Sequence, residues 1–217
     1  MVKDPELSVG DVLIGRFTLI EALSSCVFVA IDGYSGRRVI VKHASKAQVE
    51  RESRCMIQCR SSFINPPIET LPEWLVLPYI HGTSVVTFSF EQRHLFMDCI
   101  PYIVRAIEHV HQAGWVHGDI KPSNILYLPK FGSIRLIDFG AAWPIGTSLS
   151  RLSEWQLTPG FSRSTREKGI GSVEPADDWY ALSKWLDQID PSSLSARNQY
   201  QLVRWLDWLS KRIGLCR

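Results

Sequence analysis

The stretch of sequence that decides the fold is WVHGDIKPSNILYL at residues 115–128, followed by SIRLIDFG at residues 133–140. Each segment reads as a short apolar strand joined to a loop that carries polar side chains. Loops held by a rigid scaffold are where binding and catalytic side chains concentrate. The pattern therefore predicts a functional site in these two segments, with Asp119, Asn124 and Asp138 among its residues.

The same residues resemble a known family. HGDIKPSN at residues 117–124 resembles the HRDLKPxN catalytic loop of the eukaryotic-type protein kinase family, and IDFG at residues 137–140 resembles that family's metal-binding motif. Either motif alone arises by chance, but both in register behind an upstream strand lysine form a joint signal. The resemblance covers about residues 16–186. It implies an α+β, bilobal protein-kinase-like fold with a small β-rich N-lobe and a reduced α-helical C-lobe.

The resemblance also implies roles for the residues of these motifs. Asp119 would orient the acceptor hydroxyl and accept its proton, and Lys121 would steady the transferring phosphate. Asn124 and Asp138 would each hold magnesium. The expected cofactors are therefore ATP and Mg²⁺.

An upstream lysine completes the pattern. Lys42 ends VIVK, which resembles the family's VAIK strand, and would pair with the α and β phosphates while bonded to a helix glutamate. Glu52 is preferred to Glu50 as that glutamate, because Met56 follows four residues later, where the family packs its helix against the phenylalanine of DFG, here Phe139. The alternative for Glu52 is a solvated surface acid, since charged helix positions are usually exposed.

The segment after EWLVL supplies candidates for the adenine site. Residues 78–80 resemble the family's hinge, with Leu77 as gatekeeper, and the nucleotide site is assigned Tyr79 and Leu126 as well. An ordinary buried edge strand is the alternative for residues 73–82. Further on, TPGF at residues 158–161 resembles the end of the activation segment, and Asp178 of DDWYALS is expected to bond the catalytic-loop backbone as a structural residue.

The rest of the organisation follows from hydrophobic periodicity. The predicted elements are a β-meander over residues 16–43, a helix over 45–59 with Val49, Met56 and Ile57 on one face, a strand over 73–82, a helix from Phe90 to Gly114, a long loop over 141–171 and helical structure from Ala176 to Arg217. We predict a single kinase-like domain over residues 1–217, with the N-lobe at about 10–80 and the C-lobe at about 83–217.

Four departures from the family pattern stand out. ALSSCVFVA at residues 22–30 replaces the glycine-rich loop, so the lid over the phosphates should be weakened. Ile40 replaces the alanine of VAIK and could crowd the adenine. Gly118 replaces the arginine that reads an activation-loop phosphate in many kinases, so switching through that arginine should be lost. No APE motif follows TPGF, which favours reduced or different docking surfaces for substrates.

Composition restricts partners and location. The chain has 217 residues with a net charge of +2, which gives no basic field for nucleic acid. Its five cysteines form neither a disulfide framework nor a zinc pattern, and a reducing cytoplasm suits them. No signal peptide and no integral membrane segment is expected. Secretion as an effector stays an open alternative.

Three functions are weighed. The leading hypothesis is a minimal serine/threonine protein kinase acting on a protein substrate, because Lys121 is the family's serine/threonine signature, with an adaptor or regulatory protein as a further partner. A small-molecule kinase of the aminoglycoside or choline phosphotransferase type is favoured by Gly118. A pseudokinase that serves as a binding module is suggested by Ile40 and the missing lid. The last helix, at residues 194–215, could dock on the C-lobe or bind a partner or membrane surface.

Overall fold

The chain divides into two compact units in the computed structural model, which describes residues 7–88, 93–152, 158 and 160–214. The first unit comprises the described residues up to Arg60 and Asn65–His81. The second comprises Ser61–Ile64 and the described residues from Gly82 onward. The first is mainly β-sheet with one helix and the second is mainly helical. This confirms the predicted α+β fold class, while the extent of a single domain stays a prediction.

A six-stranded antiparallel sheet forms the first unit, in the order β1-β2-β3-β4-β6-β5. Its strands, with the helix α1 that follows β4, are β1 (Val12–Leu13), β2 (Phe17–Ala22), β3 (Val27–Asp32), β4 (Arg38–His43), α1 (Lys46–Gln58), β5 (Glu69–Thr70) and β6 (Trp74–Pro78). β6 lies between β4 and β5, so the predicted meander is extended by a strand from later in the sequence. β6 is therefore not an edge strand, and the hinge role of residues 78–80 stays a prediction.

Alternation along the strands places the core of the first unit on one face of the sheet. Its buried residues are Phe17, Leu19, Phe28, Ala30, Val39, Val41 and Val76. Arg16 bonds Asp32 of β3 through Nε at 2.6 Å and Glu69 of β5 through Nη1 at 2.7 Å, which links these two strands. The hydrogen bond from Arg16 holds the pKa of Asp32 well below its usual range, although burial opposes this.

α1 begins with a capping box. Ser45 accepts from the amide of Gln48, and the Gln48 side chain accepts from the amide of Ser45. The buried residues include Val49 and Met56, as predicted, but Ile57 is 57% exposed. The prediction for Ile57 was wrong because the buried stripe also includes Cys55 and is therefore displaced to the side of the helix away from Ile57.

The second unit carries the remaining elements. They are β7 (Thr83–Ser84), α2 (Arg93–Gln112), β8 (Trp115–Val116), β9 (Ile125–Leu128), β10 (Ser133–Leu136), β11 (Trp143–Pro144), α3 (Ser164–Glu167), α4 (Pro175–Asp187) and α5 (Ala196–Ile213). β9 pairs with both β10 and β7, and β8 pairs with β11. The predicted start of the second helix at Phe90 lies outside the described residues. Its end is confirmed, since Gly114 follows with a φ of 85° in the left-handed region.

The helical C-terminal part is two helices rather than one run. A 3₁₀ turn at Pro191–Ser193 separates α4 from α5, and the predicted end at Arg217 lies outside the described residues. α5 packs on α4, where the rings of Trp179 and Trp208 are 5.4 Å apart. It also contacts α2 through the ion pair of Arg212 with Glu108. These contacts favour docking of the last helix within the second unit.

Candidate active site

The catalytic-loop segment, residues 117–124, runs between β8 and β9 and brings three of the predicted site residues together. Asp119 is largely buried. Its Oδ2 lies 2.6 Å from the ammonium of Lys121 and accepts a hydrogen bond from the side-chain amide nitrogen, Nδ2, of Asn124 at 3.0 Å. Asn124 also donates to the Asp119 carbonyl oxygen at 2.8 Å. The carboxylate is therefore held in one orientation by a cation and an amide.

A residue from a distant segment completes this cluster. The hydroxyl of Thr158 donates to Oδ1 of Asp119 at 2.6 Å and accepts from Lys121 at 3.3 Å. An aliphatic hydroxyl is thus hydrogen-bonded to the carboxylate and the ammonium at once. The arrangement can orient an alcohol and accept its proton.

The two predicted metal ligands lie at the same end of the β9–β10 hairpin. Ile125 pairs with Leu136 in register, and the amide of Ile137 donates to the carbonyl oxygen of Asn124 at 3.0 Å. Asn124 precedes this hairpin and Asp138 follows it. Because the amide nitrogen of Asn124 is used by Asp119, its side-chain oxygen is the atom that could face a metal. An amide oxygen and a carboxylate suit Mg²⁺, which takes oxygen ligands and keeps waters or substrate phosphates as the others.

The backbone at Asp138 is strained. Its φ is 62°, in the left-handed region that side-chain-bearing residues seldom adopt. The next residue, Phe139, is fully buried, with its ring 4.6 Å from that of His117. Burial of Phe139 fixes the segment, so the strain is offset by packing and sets the direction of the Asp138 side chain.

Asp178 of α4 is hydrogen-bonded to the backbone of the catalytic loop. It is fully buried, and its carboxylate accepts from the amides of His117 at 2.9 Å and Gly118 at 2.8 Å. Its Oδ2 also lies 2.9 Å from Nε2 of His111. Burial alone would raise the pKa of Asp178, but the hydrogen bond with His111 and the nearby imidazoles outweigh it, so the pKa is lowered. The predicted structural contact with the loop backbone is present.

The first unit holds the remaining charged candidates. Lys42 on β4 lies 2.9 Å from Oε2 and 3.0 Å from Oε1 of Glu52 on α1. The Glu52 side chain is only 2% exposed, whereas Glu50 is exposed. Glu52 is therefore the partner of Lys42, as predicted, and the surface-acid alternative is wrong. A lysine held between strand and helix in this way presents a cation with a fixed position.

The adenine-site candidates belong to different units. Leu77 pairs in register with Ile40, and the half-buried ring of Tyr79 lies 4.9 Å from that of His81. Both are in the first unit, and Leu126 is on β9 of the second. Their joint contact with a nucleotide stays a prediction.

A family profile that describes the protein kinase domain matches residues 23–182 of this chain. The chain belongs to the protein kinase family. This kinase-family match includes every candidate site residue and ends inside α4, so α5 lies outside it.

Several protein kinases are similar to the chain in sequence. The DNA damage-responsive serine/threonine-protein kinase RqkA of Deinococcus radiodurans is 28% identical over 207 residues, which is 84% of this chain and 31% of RqkA. The serine/threonine-protein kinase PrkC of Bacillus subtilis is 27% identical over 195 residues, 80% of this chain and 30% of PrkC. Human myotonin-protein kinase is 36% identical over 121 residues, 50% of this chain and 19% of that kinase. The matched regions are thus less than a third of each relative.

The glycine-rich loop of the kinase family is replaced here by a tight turn. The amides of Leu23 and Ser24 both donate to the carbonyl oxygen of Val27, at 2.8 and 3.1 Å. The amide of Cys26 donates to the Ser24 hydroxyl at 3.3 Å. These three amides are therefore used within the turn, which limits what the turn can offer to phosphate.

The backbone conformation at position 118 explains why HGD has a glycine there. Gly118 has a φ of 82°, and a Cβ there would lie 2.4 Å from the carbonyl oxygen of Ala141 and 2.6 Å from Nη2 of Arg166. Neither distance is compatible with a side chain. An arginine cannot occupy this position without a change of the backbone, which agrees with the predicted loss of that phosphate reader.

Three residues of the site were missed by sequence reasoning. Thr158 lies within the TPGF motif, which carried a signal that was not used. His111 lies in the second predicted helix, and nothing near it in the sequence indicates Asp178 as its partner. Arg166 lies in a polar stretch with no motif. Among the described residues no group of three or more His, Cys, Asp or Glu side chains could hold a metal, and no helix is long and apolar enough to cross a membrane.

Proposed function

We propose that this chain is an ATP-dependent protein serine/threonine kinase that requires Mg²⁺. The observation that carries the proposal is the hydrogen bond of 2.6 Å from the Thr158 hydroxyl to Asp119, with Lys121 beside both. Thr158 presents to the carboxylate the same group that a serine or threonine acceptor would present. The site is therefore built to bind an aliphatic alcohol at a general base.

The proposed transfer uses few protein groups. As the acceptor oxygen forms its bond to the γ-phosphorus, the bond from that phosphorus to the oxygen bridging to the β-phosphate breaks, and the hydroxyl proton passes to the Asp119 carboxylate. Lys121 offsets negative charge on the transferring group. Since such a reaction depends mainly on position and charge, the fixed orientation of Asp119 is the important contribution.

The metal would be held by the Asn124 side-chain oxygen and the Asp138 carboxylate. When bound there, Mg²⁺ supplies positive charge to the phosphate oxygens and orients them. The strained backbone at Asp138 and the buried Phe139 keep the carboxylate in place before any ligand arrives. Asn124 lies just before this hairpin and Asp138 just after it, which supports their action in one metal-binding site.

The phosphate and adenine contacts complete the proposal. Lys42, oriented by Glu52, would bind the α and β phosphates. Leu77, Tyr79 and Leu126 would contact the adenine. Among partners we propose a protein substrate and, in view of the absent APE motif, an adaptor or regulatory protein. A cytoplasmic location stays a prediction.

The choice of serine or threonine as acceptor rests on two supports. Lys121 stands two residues after Asp119, as in the serine/threonine members of the family. RqkA and PrkC, which match most of this chain, are named serine/threonine-protein kinases.

The test is transfer of labelled γ-phosphate from Mg-ATP to the chain itself and to casein, comparing wild type with Asp119→Asn. We expect wild type to yield phosphoserine or phosphothreonine and Asp119→Asn to lose about 100-fold or more in kcat, the usual effect of removing a general base. Asp98→Asn, an exposed position on α2, is the matched control and should retain full activity.

Two results would overturn the proposal. Equal turnover by wild type and Asp119→Asn would show that Asp119 is not the general base. Absence of transfer by wild type, together with absence of Mg²⁺-dependent nucleotide binding, would instead support the binding-module hypothesis.

A further inference from the structure

The side chain of Arg166 on α3 is buried in an unusual way. The residue is 2% exposed, and its Nε and Nη2 have no hydrogen-bond partner among the described residues. A buried donor without a partner destabilises a protein, and each such group in a folded structure calls for an explanation. A guanidinium is therefore kept here at a cost to stability.

The position of this guanidinium suggests the explanation. Nη2 of Arg166 and the carbonyl oxygen of Ala141 both lie within 2.6 Å of the point where a Cβ of Gly118 would stand. Arg166 thus rests on the α-carbon of the residue that precedes Asp119. It also faces the segment that follows Asp138, which contains Ala141.

A third contact ties the same side chain to α4. Nη1 of Arg166 lies 3.6 Å from Oδ2 of Asp177, and Nη1 of Arg163 lies 3.5 Å from Oδ1 of the same residue. Burial raises the pKa of Asp177, and the two arginines act against that shift. Asp177 adjoins Asp178, the carboxylate that holds the catalytic-loop amides.

Arg166 is also close in sequence and in space to Thr158, whose hydroxyl is bonded to Asp119. The Ser162 hydroxyl donates to the carbonyl oxygen of Thr158 at 3.4 Å, which links α3 to the residue that bonds Asp119. A cavity of about 10 Å³ is lined by residues of the catalytic loop, of the region from Thr158 to Arg166 and of α4, including Asp119, Thr158 and Arg166. Such a volume has room for about one water molecule, so the segments are nearly in contact.

We infer that Arg166 is a positioning residue for phosphoryl transfer. Its guanidinium holds the Thr158 segment against the catalytic loop and the segment after Asp138, with Asp177 as its counter-charge. In many kinases an arginine at the position of Gly118 fixes the activation segment by binding a phosphate on it. Here Arg166, whose guanidinium lies over Gly118, fixes that segment without a phosphate. Activity then requires no phosphate on this segment.

The inference rests on the proposed kinase function, and its test separates the two. The variant is Arg166→Met, which keeps an unbranched apolar stem and removes the guanidinium with its charge. We expect kcat for casein to fall about 100-fold, the typical loss when reacting groups are misplaced by about 1 Å, with the KM for ATP nearly unchanged. The matched control is Arg163→Met, which contacts the same Asp177 but does not lie on Gly118, and it should retain wild-type kcat.

A readout that does not depend on activity accompanies the kinetics. Hydrogen exchange in Arg166→Met should be faster at the amides of residues 117–119 and 160–167 than in wild type, and unchanged in α5. Guanidinium ion added to Arg166→Ala should restore part of the lost kcat, because it can refill the space over Gly118. A merely structural role would not give this rescue.

The inference is overturned if folded Arg166→Met keeps the wild-type kcat, or if its faster exchange extends uniformly over the second unit. If wild type itself transfers no phosphate, the proposed function fails while the exchange experiment still decides the role of Arg166. If Arg166→Met does not fold, Arg166→Lys takes its place: retained charge with a loss of kcat supports the guanidinium contact, and wild-type kcat contradicts it.

Discussion

The two units of this kinase-family chain hold their functional residues in different ways. In the second unit Asp119, Asn124 and Asp178 are all buried and share a continuous set of hydrogen bonds. In the first unit the charged candidates Lys42 and Glu52 form an ion pair with each other, and the segment after β2 is a tight turn. Under the proposed function, the groups expected to bind the acceptor are held by a network of hydrogen bonds, whereas the turn in place of the glycine-rich loop uses its own amides.

If the proposed function is correct, the two units should differ in how much loss of contacts the reaction tolerates. A lid binds phosphate through backbone amides, a contribution that a lysine and a metal can partly replace. A general base and metal ligands need fixed geometry and have no substitute. Breaking one contact in each unit should therefore have unequal effects.

The largest effect is expected in the second unit, for Gly118→Ala. The added methyl group would meet the Ala141 carbonyl oxygen at 2.4 Å and would force a φ of 82° on an L-residue. We expect a loss of about 3 kcal/mol in the free energy of unfolding, from strain and overpacking together. Urea denaturation measures it, and phosphate transfer should fall in parallel.

Gly132→Ala is the control for Gly118→Ala. Gly132 also has a positive φ, of 54°, but nothing lies within 4 Å of its added Cβ. Only the backbone strain remains there, about 1 kcal/mol. Equal destabilisation by the two substitutions would show that the contact with Ala141 and Arg166 does not constrain Gly118.

A smaller effect is expected in the first unit, for Glu52→Gln. The amide keeps the shape of the side chain but loses the charge that orients Lys42. A charge-assisted hydrogen bond contributes about 1.5–3 kcal/mol, so we expect kcat/KM for ATP to fall about 10- to 150-fold, with little change in the KM for casein.

Glu50→Gln is the matched control, because Glu50 is exposed and two residues away on the same helix. It should behave as wild type. If both variants are equally active, the Lys42–Glu52 pair does not position the phosphates, and the first unit contributes less than proposed.

Local patterns were sufficient to predict much of this chain. The motifs around Asp119 and Asp138, the meander, and the Lys42–Glu52 pair all follow from residues close together in the sequence. So did the end of α2, because Gly114 terminates a helix by its own backbone preference.

The remaining features depend on contacts between distant segments. Thr158 bonds Asp119 across 39 residues, and His111 bonds Asp178 across 67. No periodicity encodes such pairs, because the two partners lie in segments that are far apart in the sequence. The same limit explains Ile57, whose exposure depends on what packs against α1, and Arg166, whose burial depends on the absent side chain of Gly118.

The smallest effect concerns two neighbouring acids at the start of α4, and it appears only when pH changes. The pKa of Asp178 is lowered in the folded chain by His111 and His117 despite its burial, whereas burial raises the pKa of Asp177 despite Arg163 and Arg166. Stability contributed by Asp178 is therefore present above the unfolded-state pKa of an aspartate and is lost as pH falls through its folded value.

For Asp177 the sign is opposite, because the folded state binds a proton more readily than the unfolded state and gains stability as pH falls. The free energies of unfolding of wild type, Asp178→Asn and Asp177→Asn, measured from about pH 7 down to about pH 2, test this, because the range includes the unfolded-state pKa of aspartate, about 3.9. The advantage of wild type over Asp178→Asn should shrink toward low pH, and its advantage over Asp177→Asn should grow. Parallel profiles would mean that the two carboxylates titrate alike, and the hydrogen bonds to the catalytic loop would then not depend on a charged Asp178.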